Sequence, residues 1–488
     1  MDKKKTGLQK QLNPMSVWAL AFGCVIGWGS FINPGKKFLP NSGVAGTAIA
    51  MALGAIVMIV IACSYAYMVP KYPKAGGEFT FARACFGKRY AFICGWFLVA
   101  AYLTNVPMNS TAIGLIVDGI FGPILKWGFH YTVAGFEIWF GEIVVAMSIL
   151  VLFGILNILG VKKAGAVQTV LTVLLVVSVF TLFVAALLSP YATIGNMSPW
   201  WGFDKSAALQ AGQYSSEFAV KDSGIVVSVL ATFAIAPWAF VGFDTIPQAA
   251  EEFKFSYKKI ISIMVFAILF GLFVYVTNNT IAAAALDNWP DLIIDAEGTP
   301  WLLLIAAERL LGVWGKVLVG VAVSCAVLSG IMGFYLAASR LMYSMSKDGC
   351  LPKIFGKVDG KYGTPKNALL FCMIISLIGP ILGREALGWF VDMSAIGASV
   401  GFLFTSLSTY KVLKRDNDGG CWLRIISILG ATFSSIFIVL QLIPIPGLEG
   451  VHFCWQSYLM LAVWCAIGGV FYFKQRKSTD AISESLEE

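Results

Sequence analysis

The sequence predicts an all-α integral membrane protein of twelve transmembrane helices, built as a five-plus-five inverted repeat with helices 1 and 6 broken. Three observations predict it. Of the 488 residues, 58% are hydrophobic and 13% charged, with a mean hydropathy of +0.79, which is too apolar for an ordinary water-soluble globule. Lys and Arg collect in alternate connections between the apolar stretches. The first and sixth stretches are each interrupted near their middle, about 209 residues apart, at Gly27-Trp28-Gly29-Ser30 and at Ala236-Pro237-Trp238.

Stretches long enough for a bilayer core, about 20 residues each, fall at 14–38, 43–69, 89–120, 139–160, 164–189, 224–250, 259–286, 315–346, 367–383, 387–412, 422–444 and 453–473. Placing both termini in the cytoplasm puts 27 of the 35 Lys and Arg on the inner side, including the cluster from Arg340 to Lys366. That asymmetry is the one expected of a multi-pass protein of the cell membrane, and it accounts for the net charge of +8 without nucleic acid as a partner. The N-terminus carries basic residues before a long apolar stretch, with no small-residue cleavage site, and reads as a retained helix.

Five spans separate the two breaks. Because five is odd, the second set enters from the opposite face, and the two broken helices meet near the midplane. The expected organisation is a cytoplasmic tail 1–13, a first repeat 14–190, an outer loop 191–223, a second repeat 224–412, two further spans 413–474 and a cytoplasmic tail 475–488.

A membrane helix breaks only where protein or a water-filled cavity can receive the freed backbone groups. At the first break the outer half-helix begins, so the amides of Gly29, Ser30 and Phe31 are expected to face a cavity and favour a carboxylate. Helix ends at Val25, Ile26, Ile235 and Ala236 are expected to offer carbonyls to an ammonium group. Gly27 and Gly29 permit close backbone approach, and Pro237 has no N–H. This pattern reads a zwitterion without charged side chains.

Other classes are disfavoured. The ten cysteines include no CxxC pair, the two histidines, His130 and His452, fall in outer connections, and no GxxxxGK[ST] loop is present. Neither a metal, a disulfide framework nor ATP hydrolysis by this chain is indicated. No nucleophile–base pair marks an enzyme, and no cofactor or obligatory protein partner is evident. The expected partners are a small-molecule substrate and the lipid bilayer.

The loops carry a resemblance. Pro73-Lys74-Ala75-Gly76-Gly77-Glu78-Phe79, Asn157-Ile158-Leu159-Gly160-Val161-Lys162 with Gln168, Gly242-Phe243-Asp244 with Ala250-Glu251-Glu252, Ser339-Arg340-Leu341-Met342-Tyr343 with Lys347-Asp348-Gly349-Cys350-Leu351-Pro352, and Tyr362-Gly363-Thr364-Pro365 follow one another along the chain. Together they resemble the signatures of the amino acid–polyamine–organocation permeases. The resemblance implies a secondary active transporter of the leucine-transporter fold, moving amino acids by alternating access. It places the substrate carboxylate on the unwound amides of helix 1, here Gly27-Trp28-Gly29-Ser30, and the amine on carbonyls of helices 1 and 6, here around Ile26 and Ala236-Pro237. Trp28 stands where the family usually has serine, which points to a small substrate. The family also implies an aromatic lid after the second break, Trp238 or Phe240, and a contribution from helix 3, for which Asn105 and Asn109 are available.

The coupling ion, H+ or Na+, stays open. A lysine that replaces sodium in some relatives falls at Leu175 here, so that surrogate is absent. A sodium site would use carbonyls of the first helix break with the hydroxyls of Ser324 and Ser329. Asp244 and Asp392 are candidates for proton coupling, because ionisable groups at membrane depth are expensive and tend to be functional. Glu78, Glu251 and Glu252 lie among Lys74, Arg83, Lys254 and Arg340 and are read as gate salt bridges. An amine or polyamine permease on the same fold is the alternative, with Asp244 as its acidic residue. A sensor or channel on the scaffold is a third reading.

Overall fold

The computed structural model describes residues 7–133, 136–201, 224–294, 301–383, 386–418, 420–445 and 452–487. Residues 1–6 of the expected first tail, 202–223 of the expected outer loop and Glu488 lie outside the described residues. The architecture is all-α apart from one short hairpin. Among the described residues, nine helical segments are long and apolar enough to cross a bilayer, accompanied by three shorter apolar helices, Pro14–Val25, Gly224–Ala239 and Lys366–Leu382.

α1 (Pro14–Val25) starts on a cap, the Asn13 side chain accepting from the Ser16 amide at 2.8 Å, with Pro14 in the first turn where its missing N–H costs nothing. It stops at Ile26, whose backbone is extended. α2 (Gly29–Asn33) then runs through a π turn at Pro34–Phe38 into α3 (Leu39–Lys71), which bends at Gly43. α4 (Gly77–Phe86) is short and lies between apolar helices; it was not among the expected spans. α5 (Lys88–Phe121) leads to a hairpin of β1 (His130–Val133) and β2 (Phe136–Trp139), paired antiparallel with His130 opposite Trp139. The alternating aromatic and β-branched residues there favour strands over helix.

α6 (Phe140–Ile158) and α7 (Val161–Leu188) precede α8 (Gly224–Phe233), α9 (Ala236–Ala239) and α10 (Thr245–Gln248). α11 (Ile260–Ala284) is followed by the short α12 (Trp289–Ile294) and α13 (Leu302–Leu311), then by α14 (Val313–Lys347). α15 (Lys366–Ser376), α16 (Gly379–Leu382), α17 (Ala386–Asp416), α18 (Gly420–Leu442) and α19 (Trp455–Glu487) complete the chain. The backbone stays helical through most of the segment 475–488 expected as a tail.

Burial orders these helices into a centre and a periphery. In their most apolar windows α5 is 83% and α14 72% buried, against 11% for α19, although α19 is apolar too. An apolar helix with so little protein around it requires lipid as its solvent. The centre is where α1, α5, α14 and α17 pack, and the two interruptions lie there.

Candidate substrate site

The first interruption is narrow. Ile26 to Trp28 separate α1 from α2, and Trp28 is only 5% exposed. The second is wider than its sequence signal. Ala236-Pro237-Trp238 is itself helical within α9, and the backbone unwinds on both sides, at 234–235 and again between Phe240 and Asp244. Pro237 has no N–H, so the Phe233 carbonyl loses its donor one turn on.

The two interruptions touch at Gly242, whose φ is +138°. A Cβ built there would lie 2.5 Å from the Val25 amide nitrogen and 2.6 Å from the Cys24 carbonyl carbon. Only glycine combines that backbone conformation with so close an approach. At the start of α2, a Cβ at Gly29 would lie 2.3 Å from the Trp238 indole, and the Trp28 and Trp238 rings are 6.0 Å apart. The Trp28 Nε1 is buried and has no partner. Two indoles therefore bracket the first break.

The backbone groups around the break are distributed differently from the expectation. The Ser30 amide donates to the Gly27 carbonyl at 3.3 Å and the Phe31 amide to the Trp28 carbonyl at 3.0 Å, so these two are taken by a local turn. The Ser30 hydroxyl also donates to Gly27, at 3.0 Å. Among the described residues, the amides of Gly27, Trp28 and Gly29 and the carbonyls of Val25 and Ile26 are in no backbone hydrogen bond. In the second interruption, the Ile235 and Ala236 carbonyls accept from the Ala239 and Phe240 amides at 3.0 Å each. The expected donors and acceptors thus shrink to the Gly27–Gly29 amides and the Val25–Ile26 carbonyls.

Several side chains also sit elsewhere than expected. Phe240 is buried against Tyr275 and near Gly54 and Gly271, while Trp238 is the ring laid over Gly29; the single turn of α9 aims positions 238 and 240 in different directions. Ala236 packs on Gly54 of α3. Asn105 donates to the Ala101 carbonyl and to Ser394 of α17, at 2.7 and 2.6 Å. Asn109, one turn on, is the helix-3 candidate beside Gly27, and its Oδ1 is buried without a partner. Two residues that the sequence did not single out as supports hold α2. Asn278 donates to the Ser30 carbonyl at 3.0 Å and Trp301 to the Phe31 carbonyl at 2.9 Å.

A buried ion pair ties α14 to the segment that follows α10. Arg340 Nε lies 2.7 Å from Glu252, both within 1% of full burial, and the Gln11 and Leu12 amides donate to the Glu252 carbonyl. Glu251 is half-buried and forms no ion pair among the described residues. Glu78 departs from the expected salt bridge: Arg83 reaches Asp348 and Lys74 is exposed, while Glu78 is fully buried on neutral donors, Tyr65 at 2.6 Å and Gln248. The loop before it explains how it gets there. A Cβ at Gly76 would meet Ser344 at 2.5 Å and one at Gly77 would meet Pro247 at 2.9 Å, so the glycine pair of the loop motif lets the chain press against α14 and α10. Asp244 accepts from the Gly242 amide at 2.7 Å and from Tyr102 at 2.8 Å. Asp392 accepts from Ser457 at 2.6 Å, far along the chain from the breaks.

Of the oxygens considered for sodium, the Ser329 hydroxyl is bonded within the protein, while the Val25 and Ile26 carbonyls at the break are in no backbone hydrogen bond. Gln168 Nε2 and Thr172 Oγ1 both donate to the Ala19 carbonyl at 3.1 Å, and Ser329 Oγ donates to the Gly23 carbonyl at 3.0 Å. Gln168 Nε2 lies 2.4 Å from where a Gly23 Cβ would be, with buried Leu175 one turn beyond Thr172. Ser324 is half-buried and not part of this cluster.

Known proteins share this chain's sequence over most of its length. A family model described as "Amino acid permease" matches residues 12–471. The chain belongs to this family. It is a family of membrane transporters rather than enzymes, and it lies within the amino acid–polyamine–organocation superfamily whose loop signatures the sequence carries. The permease is similar to the branched-chain amino acid permease BcaP of Bacillus subtilis, 26% identical over 96% of this chain and 93% of that protein. It is also similar to the methylthioribose transporter of the same organism, 22% identical over 97% of this chain and 94% of that one. The large neutral amino acids transporter small subunit 2 of Homo sapiens is 25% identical over 76% of this permease and 64% of its own length.

Proposed function

We propose that this permease is a secondary active transporter of neutral amino acids in the cell membrane, with both termini cytoplasmic. It works by alternating access between two inverted sets of five helices, 14–190 and 224–412, with 413–474 outside the repeat and twelve spans in all. The substrate carboxylate is held at the Gly27–Gly29 amides and its amine at the Val25 and Ile26 carbonyls, with the α1 and α2 dipoles adding their favourable ends. The observation that carries this reading is the break itself, which leaves opposite backbone charges side by side in a buried place. Relatives named for branched-chain and large neutral amino acids support the substrate class, and Trp28 and Trp238 limit its bulk.

The amine-permease alternative needs an acidic group free for the ligand. Both Asp244 oxygens are engaged by Gly242 and Tyr102, so the geometry favours the zwitterion. The test is uptake of labelled valine, leucine and alanine by the full chain in liposomes, with amines lacking a carboxylate as competitors. Uptake blocked by neutral amino acids and indifferent to the amines is expected, and Gly29→Val should abolish it. Full-rate transport by that variant would remove the assigned carboxylate site.

A further inference from the structure

We propose that Glu78 and Asp244 form a buried two-carboxylate site that binds one transported proton, with the Gln248 amide adapting to its presence. The inference rests on the transport reading above and names the coupling ion.

The two acids are linked through a chain of neutral groups. Glu78 accepts from Tyr65 and from Gln248 Nε2; Gln248 Nε2 also donates to the Tyr102 hydroxyl at 3.2 Å; Tyr102 donates to Asp244, whose second oxygen accepts from the Gly242 amide. Glu78, Gln248 and Asp244 are all fully buried. The titratable groups facing the pair are Tyr65 from α3, Cys94 and Tyr102 from α5 and Cys24 from α1, none cationic at neutral pH. α17 presents Phe402 to Tyr65. α14, which also packs against this loop, carries Arg340, whose guanidinium donates to Glu252 and Ser339. Two buried carboxylates without a cation cannot both stay ionised cheaply, because each loses hydration and repels the other. One proton removes their mutual repulsion and one of the two buried charges.

An independent observation points to that proton. Gln248 Oε1 is buried without a partner, although its own Nε2 donates to Glu78. Turning the amide over presents this oxygen to Glu78, where it accepts from a protonated carboxyl. The same side chain therefore satisfies both protonation states, donating to the anion and accepting from the acid. The site also has a mechanical connection to the substrate. Asp244 holds the Gly242 amide, and Gly242 lies on the Cys24–Val25 backbone beside the break. A change of charge at the pair acts on the backbone that carries the substrate carbonyls.

Glu78 lies in α4, outside the long apolar helices, and burial, with the Asp244 charge second, pushes its carboxyl up to about 8.

The test uses the full chain in liposomes with the membrane potential clamped, reading substrate counterflow, internal pH and accumulation driven by an inside-alkaline gradient of one pH unit. Such a gradient can drive about tenfold accumulation at one proton per substrate. Wild type is expected to show that accumulation with internal acidification, and Glu78→Gln to keep counterflow within about twofold while losing the response to the gradient. Counterflow in wild type without gradient-driven accumulation and without internal acidification under that gradient would overturn this inference and leave the transport reading intact; absence of counterflow would overturn both. If Glu78→Gln does not fold, infrared titration of wild type decides: a buried carboxyl band that disappears as pH rises through the neutral range supports the site, and its absence refutes it.

Discussion

Replacing Gly242 by alanine tests the crossing on which the proposed site depends. The added methyl would lie 2.5 Å from the Val25 amide nitrogen, where ordinary contact begins near 3.4 Å, so the backbones of the two breaks must separate by about 0.9 Å. Both atoms nearest the methyl belong to the α1 backbone, which cannot rotate away as a side chain would. A non-glycine residue at φ +138° adds strain of about 1–3 kcal/mol, and overpacking of this kind costs about 1–3 kcal/mol more. At 1.4 kcal/mol per factor of ten, a total of roughly 2–6 kcal/mol depopulates the crossed geometry by about 30-fold or more. The assay is initial uptake of labelled valine in liposomes, paired with thermal melting in detergent. Gly388→Ala serves as control, since a Cβ there meets nothing within 4 Å. Uptake by Gly242→Ala within twofold of wild type, at unchanged melting temperature, would refute the crossing as a requirement for transport.

Other outcomes follow from the same geometry. Trp238→Ala should widen the range of accepted side chains, because its indole lies over Gly29; an unchanged competition profile would place it outside the pocket. Arg340→Gln strands a buried Glu252 carboxylate and should cost about 3–5 kcal/mol of stability, whereas Arg340→Gln combined with Glu252→Gln should recover much of it; melting curves of the three variants decide. Replacing sodium by choline should leave uptake unchanged, since the proposed coupling ion is the proton held at Glu78 and Asp244; sodium-dependent uptake would contradict that assignment. Glu78 takes up its proton more readily folded than unfolded, so its contribution to stability is full below its ordinary value of 4.5 and is lost as pH rises toward about 8. Wild type should therefore melt lower at pH 8 than at pH 5.5, by a margin that shrinks in Glu78→Gln.

Much of this architecture was legible in the sequence, for a physical reason. Lipid offers the backbone no hydrogen bonds, so spans must be long, apolar and helical, and any interruption stands out against them. The positions of the first break, the loop signatures and the missing lysine at Leu175 could all be seen without coordinates. Arg340 and Glu252 were placed in one group of charges by the sequence, and the structure pairs them.

The same reasoning misread Glu78. Its neighbours in sequence, Lys74 and Arg83, suggested a salt bridge, but the Gly76-Gly77 turn carries the carboxylate inward to Tyr65 and Gln248. It left Asn105 and Asn109 undivided and could not separate Trp238 from Phe240, since one helical turn changes which face a side chain occupies.

What the sequence determined by itself was the solvent, the helical class, the family and the place of the first break. These depend on local composition and on short segments read one at a time. Only the tertiary structure decided that the breaks cross at Gly242, which amides the Ser30 and Phe31 turn leaves open, and that two acids 166 residues apart share one neutral hydrogen-bond chain. Those facts depend on which atoms from distant segments come within 3 Å of each other, and that distance is set by packing, not by neighbours in the chain.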